Sequence, residues 1–500
     1  MPDEKRSLEN LVDPILALAA AGPDRPAIET EVETLSYAGL VDRMAAFAAG
    51  LAAAGLVPGD VVALAIREPA AMLVALSGAM LGGFAPIQLD PDSPAGEANR
   101  LFDLAQAGLL VGDWPGGDRA RPATPFAQVL AAGAGAVAAD MRQPGGERPA
   151  QINLSSGTTG LRKAVPIAHA QQLGRSRGVI GALGQGPGDR HLPLLQLHFA
   201  FGRQAAMRVL LSGGTVVALR LPTDIAGFVR LVERHAITHL EATPGHLRYL
   251  LDGIAPDGPL LLPGIRCLAV STAMLRVGER KTVRRRLTPN LYITYGSNEM
   301  GVSACARPED LDRALATIGR AMPGCEIAIF DETGLEVPAG AVGEIRVRTA
   351  NAATRYLGDA AASDRSFREG WFRTGDAGRF DGDGLLFLTG RLDDRINFGG
   401  VKIYPVEIED VLREHAGVAD VAVVALPSVR SQQMPAAAII GRGAVDVAAL
   451  KDHCRARLGP RRSPQHIVLV EAFPLTGTGK VDGPALRQLL TERINGPGGA

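Results

Sequence analysis

Asn153-Leu-Ser-Ser-Gly-Thr-Thr-Gly-Leu-Arg-Lys163 concentrates glycines, hydroxyl side chains and a basic pair in one short window that is expected to follow a strand. Gly157 and Gly160 let the backbone turn tightly enough to aim several N–H groups at one anion. Ser155, Ser156, Thr158 and Thr159 add neutral donors, and Lys163 adds a compact, mobile charge. These are the parts of a phosphate-binding loop. The window does not fit Gly-x-x-x-x-Gly-Lys-Ser/Thr, because the spacing differs and Ala164 follows the lysine. It therefore points to a different way of holding a nucleoside triphosphate. Taken alone, the same cluster also reads as a polar surface loop.

Four further segments come after it in order: Tyr295-Gly-Ser-Asn-Glu299, Trp371-Phe-Arg-Thr-Gly-Asp376, Gly390-Arg-Leu-Asp-Asp-Arg395 and Pro474-Leu-Thr-Gly-Thr-Gly-Lys480. With the first loop they form the motif series of acyl- and aryl-CoA synthetases, peptide-synthetase adenylation domains and beetle luciferases. The chain resembles this adenylate-forming superfamily from Leu35-Ser-Tyr-Ala-Gly-Leu40 to Lys480. The resemblance implies an enzyme that joins a carboxylic acid to AMP and then passes the acyl group to a thiol. ATP, Mg²⁺ and coenzyme A, or a carrier-protein phosphopantetheine, would be its cofactors and co-substrates.

Composition sets the frame. Five hundred residues are too many for one core. A formal net charge of −1 gives no basic surface for nucleic acid. The cysteines Cys267, Cys305, Cys325 and Cys454 are scattered without C-x-x-C spacing, as expected of incidental thiols in a reducing compartment. The uncharged run Met72 to Leu89 is broken by Gly82-Gly83 and Pro86, so it reads as a buried helix and a short strand rather than a membrane span. A cytoplasmic protein with no membrane span is the expectation. Lysine occurs at only six positions, and two of these, Lys163 and Lys480, fall in the motif series.

Alternation of helical stretches with runs such as Val61-Val-Ala-Leu-Ala-Ile66 predicts an α/β fold with mostly parallel sheets. Further strands are expected in Gly213–Leu219, Ile237–Thr243 and Ile265–Val270. Period-two alternation in Gly343-Glu-Ile-Arg-Val-Arg348 and the turn Asp331-Glu-Thr-Gly334 predict an antiparallel or barrel-like subdomain over 318–349. The expected organisation is a large domain of stacked α/β sheets with a small β-barrel-like subdomain (1–391), hinged to a small α+β domain (392–495). In the second, helices are read at Pro405–Glu414 and Val447–Leu458, with strands at Val418–Leu426, near Ala436 and near Ile467. The tail Asn495–Ala500 is expected to be disordered.

The resemblance assigns roles residue by residue. Glu299 is the Mg²⁺ anchor, because Mg²⁺ takes one or two carboxylates with water and phosphate oxygens. Tyr295 stacks on adenine, with Gly296, Ser297 and Asn298 beside the phosphates. Ser271, Thr272 and Ala273 occupy the adenine-binding stretch, where the family is glycine-rich. Asp376 accepts the ribose hydroxyls, and Arg391 reaches the same ribose or a phosphate. Lys480 bridges the acid and the α-phosphate, Asp393 is the hinge, and Gly399 and Gly400 admit a pantetheine arm. Each has a plainer reading as a turn or a packing residue. Arg162, Ala164 and Asn298 depart from the usual proline, glycine and threonine.

His198 matches an aromatic gate, although a buried core histidine reads nearly as well. Phe199, Gly202, Arg203, Thr243, Met300 and Val302 would line the acyl pocket. Arg203 would pair with a second carboxylate or phenolate if it faced that pocket; arginine is more often exposed. The segment around Gly399-Gly400 favours acid–CoA ligase over free-standing carrier-protein loading. A catalytically impaired nucleotide- or acyl-binding homologue is the third reading, motivated by the three departures.

Overall fold

The computed structural model describes residues 8–114, 122–155, 162–428, 431–475 and 481–495. Contact density divides the chain into two compact units, residues 1–327 with 347–373 and residues 328–346 with 374–500.

The first unit is built on two sheets. The larger runs Arg320–Ala321, Gly301–Ala306, Leu291–Ser297, Cys267–Val270, His239–Ala242, Arg190–Pro193, Thr215–Val217, Pro26–Glu29 and Thr34–Ser36. From Leu291–Ser297 to Pro26–Glu29 every neighbouring pair is parallel, and antiparallel strands close both edges. The smaller runs Ala107–Gly112, Val61–Ala65, Ala85–Gln88, Pro149–Ser155 and Lys163–Ala168, parallel except for the last strand. This is the α/β class expected from the sequence. Helix Pro69–Leu81 is buried from Met72 to Leu81 and leads into the strand Ala85–Gln88, so the uncharged run is core. Among the described residues no helix is long and apolar enough to cross a membrane.

A third sheet is ordered Cys325–Phe330, Gly343–Thr349, Trp371–Phe380 and Phe367–Arg368, with Leu386–Arg391 also on Trp371–Phe380. The rest of the second unit is one sheet with helices on both faces. Val421, Val423, Ala437 and Ile439 point into a core with helices Pro405–Arg413 and Val447–Leu458. Ala422, Val424, Ala436 and Ala438 point the other way, against Leu486 and Leu490 of helix Gly483–Asn495. Period-two alternation with both faces apolar is what a doubly covered strand requires. That final helix was not anticipated from the sequence, although Leu486 and Leu490 carry its i,i+4 signal. Residues 496–500 of the tail expected to be disordered lie outside the described residues.

Candidate active site

Parallel sheets bind ligands beyond the carboxyl ends of their strands. Four predicted site segments leave neighbouring strands of the large sheet at that end. His198 follows Arg190–Pro193, Thr243 follows His239–Ala242, Ser271 follows Cys267–Val270, and Asn298 and Glu299 follow Leu291–Ser297. In the small sheet, Ser155 is the last residue of its strand and is paired in register with Lys163. Ser155 and Lys163 thus stand opposite each other in the window read from the sequence as a phosphate loop. Ser156, Gly157, Thr158, Thr159 and Gly160 lie outside the described residues, as does Lys480.

Glu299 is 6% exposed. Its Oε1 accepts a hydrogen bond from the Tyr356 hydroxyl at 3.0 Å, and its N–H donates to Ser297 Oγ at 3.2 Å. Lys163 Nζ lies 4.5 Å from the centre of the Tyr356 ring. Tyr356 thus touches both a candidate metal-binding carboxylate and the lysine of the phosphate loop. Burial and the Glu299 charge push the Tyr356 phenol up, so it stays a neutral donor. Arg175 holds the turn from behind, donating to Asn351 O at 2.7 Å, Asn298 O at 3.1 Å and Glu299 O at 2.5 Å. Burial lowers the Arg175 guanidinium to about 10, partly offset by Glu299. Asn298 Nδ2 donates to Leu154 O at 2.8 Å, which ties the Glu299 turn to the strand entering the phosphate loop.

Gly296 has a local cause. A Cβ there would sit 2.1 Å from Gly301 O, where the strand pairing shifts register between Tyr295 and Gly296. Tyr295 itself is half-buried on that strand. Ser271 Oγ donates to Thr294 O at 3.0 Å. Thr272 has φ +73°, a left-handed conformation that a β-branched residue rarely adopts. The chain keeps a glycine-like backbone here while carrying a threonine, and such strain costs on the order of 1–3 kcal/mol. Thr272 and Ala273 are exposed.

The His198 side chain is 6% exposed, with Nε2 3.7 Å from Asp90 Oδ2 and its ring centre 4.2 Å from that of Phe199. Burial lowers its pKa, and Asp90 opposes that. Gly202 makes a close approach, since a Cβ would meet Leu195 Cβ at 2.8 Å. Arg203 is 2% exposed, which overturns the solvent-facing reading. It donates to Leu197 O at 3.3 Å, His198 O at 3.1 Å and Asn153 Oδ1 at 2.7 Å. Thr243 caps the helix Pro244–Asp252, accepting from His246 N at 3.4 Å. Met300 is buried and Val302 half-buried.

The second unit holds its own cluster. Asp376 and Arg391 face each other in register across antiparallel strands, and Arg391 Nη1 donates to Asp376 Oδ1 at 2.9 Å. Arg391 Nη2 lies 3.9 Å from Asp393 Oδ2. Gly399 and Gly400 join strands Ile396–Phe398 and Val401–Ile403, with φ +56° and +84°. Positive φ at both central residues marks a two-residue hairpin of the I′ kind, which alone accounts for the glycine pair.

Sequence reasoning missed Tyr356, Arg175 and Asp90. None lies in a motif, and each reaches the site only through the fold.

Comparison with known proteins agrees with this geometry. The family model described as AMP-binding enzyme matches residues 17–357, and that described as AMP-binding enzyme C-terminal domain matches 407–480. A Mycobacterium tuberculosis 3-[(3aS,4S,7aS)-7a-methyl-1,5-dioxo-octahydro-1H-inden-4-yl]propanoyl:CoA ligase is 30% identical over 93% of this chain and 96% of its own. Phenyloxazoline synthase MbtB of Mycobacterium sp. (strain MCS) is 30% identical over 98% of this chain, which spans only 43% of that protein. The solved o-succinylbenzoate CoA synthetase of Bacillus subtilis, in complex with an acyl-adenylate intermediate, superposes with a TM-score of 0.84 at 25% identity, covering 96% of this chain and 97% of the other. With both family segments present in order, and the predicted residues of the first unit gathered at the carboxyl ends of its strands, the chain belongs to the AMP-binding enzyme family.

Proposed function

We propose that this protein is an AMP-forming acid–thiol ligase that activates a carboxylic acid with ATP and transfers it to coenzyme A. The observation that carries the reading is the Glu299–Tyr356–Lys163 arrangement beside the phosphate loop. Adenylation brings two anions together, the acid's carboxylate and the α-phosphate, and their repulsion must be screened. Glu299 would hold Mg²⁺, which takes one or two protein carboxylates. When bound, the ion supplies positive charge between the two anions.

The protein's own groups do the remaining work. Tyr356 fixes one Glu299 oxygen, and Lys163 offers charge to the phosphates. Asp376, steadied by Arg391, is assigned to the ribose. Lys480 is assigned to the acid and the α-phosphate during adenylation, with Asp393 as the hinge and 392–495 as the part that turns. Gly399-Gly400 would let the pantetheine arm approach. A carrier-protein pantetheine is the alternative acceptor; similarity to a stretch of a probable non-canonical nonribosomal peptide synthetase, CymA of Salinispora arenicola, supports it. A cytoplasmic location accompanies the coenzyme A reading.

Incubation with ATP, Mg²⁺, coenzyme A and a pool of aryl, short-chain, long-chain and dicarboxylic acids, read by mass spectrometry, tests this. An acyl-CoA product is expected. Acyl-AMP without acyl-CoA moves the acceptor to a carrier protein. Lys480→Ala is expected to slow adenylation at least about 100-fold, a loss typical of removing one transition-state donor. Wild-type adenylation by that variant would remove the role given to Lys480.

A further inference from the structure

We propose that the acid activated by this enzyme carries a second carboxylate, and that Arg203 receives it. The proposal rests on the acid-activating reading above and names its substrate class.

Arg203 sits on helix Ala200–Leu211, in the segment assigned to the acyl pocket, and is buried. A buried guanidinium is normally matched by a carboxylate, because an unpaired charge out of water is costly. Here all three hydrogen-bond acceptors are neutral: the Leu197 and His198 carbonyls and the Asn153 side chain. Among the described residues Arg203 Nε has no hydrogen-bond partner, and neither do Asn153 Nδ2 and His198 Nε2, all buried. Asn153 is bonded to Arg203 and lies two residues before Ser155, where the strand gives way to the phosphate loop. Arg203, Asn153 and His198 are thus linked by hydrogen bonds, and each keeps one buried nitrogen without a hydrogen-bond partner, His198 Nε2 lying 3.7 Å from Asp90 Oδ2.

Arg286, also buried, likewise has only neutral acceptors among the described residues, all backbone carbonyls, but other buried arginines have an acidic neighbour. Five residues along the same helix, Arg208 is equally buried, and Glu241 pairs with it at 2.5 Å. Arg175 and Arg280 are buried too, but Glu299 and Glu279 offset part of the burial. Burial lowers Arg203 to about 9 with no acidic neighbour opposing it. A cation left without a counter-ion suits an anion that arrives with the substrate.

The test compares each dicarboxylic acid with its half-amide of the same length. Adenylate formation, followed as ATP–pyrophosphate exchange, gives kcat/KM for each twin. A site whose buried donors need an anion should prefer the diacid by roughly 100-fold or more. R203M is expected to collapse that ratio to within about threefold of unity, with R203K intermediate. Equal or better use of the half-amides by wild type overturns the proposal, and that arm needs no variant to fold. A fall in both twins by the same factor in R203M also overturns it, since that marks a purely structural arginine. No adenylate from any acid, while calorimetry still reports ATP binding, removes the acid-activating reading itself.

Discussion

The Glu299 carboxylate is fixed by a hydroxyl 57 residues away in sequence, and that bond is the most economical handle on the site. Hydrogen bonds to charged groups are worth about 1.5–3 kcal/mol. Tyr356→Phe is therefore expected to lower kcat/KM for adenylation by about tenfold or more, with the fold intact. Glu299→Gln removes the charge and should raise the Mg²⁺ concentration needed for half-maximal pyrophosphate exchange. An unchanged Mg²⁺ dependence in Glu299→Gln would show that the ion is anchored elsewhere. Glu299 was legible because Tyr-Gly-Ser-Asn-Glu is a local signature. Tyr356 was not, because nothing around it in sequence says that its hydroxyl faces Glu299. Arg203 was legible only as a question of orientation, which burial answers.

At the level of elements, the parallel strands announced themselves through apolar runs and turn residues, and the sheet rule then placed their carboxyl ends at the site. What the runs cannot encode is which loop ties to which. His169, at the start of helix His169–Leu183, is such a tie. Its Nδ1 accepts from Leu11 N–H at 2.9 Å and it is fully buried. The acceptor role fixes the neutral tautomer with hydrogen on Nε2, and burial lowers the pKa from 6.5 to about 4. The folded protein thus binds fewer protons than the unfolded chain between these values, so stability falls as pH drops from 6.5 towards 4 and is unaffected by this group above 6.5. The shift corresponds to roughly 3 kcal/mol by pH 4. His169→Asn keeps an acceptor near Leu11 N–H but cannot titrate. Urea unfolding of both proteins from pH 7 to pH 4 should show a shallower acid loss in the variant, and parallel curves would refute the assignment.

On the scale of the whole chain, composition argued for more than one domain, and contact density divides the chain into two units. Residues 328–346 and 374–391 group with the carboxyl-terminal residues from 392 onward. One cause is visible: Glu332 pairs with Arg395 at 2.8 Å and with Lys402, joining the Asp331–Gly334 turn to the segment after the proposed hinge. Glu332 is exposed, and exposed pairs hold little. They leave Asp393 free to act as the pivot we propose. Asp393 is exposed on the connection between strands Leu386–Arg391 and Ile396–Phe398. Proline there would fix φ and confine Leu392 to extended backbone, removing rotations a hinge needs. Asp393→Pro should leave pyrophosphate exchange within about threefold of wild type while slowing thioester formation about tenfold or more, because a conformational step limits only the second half-reaction. Single-turnover transfer from preformed acyl-adenylate isolates that step. Equal slowing of both half-reactions would mean that residue 393 matters for folding of the second unit rather than for its rotation.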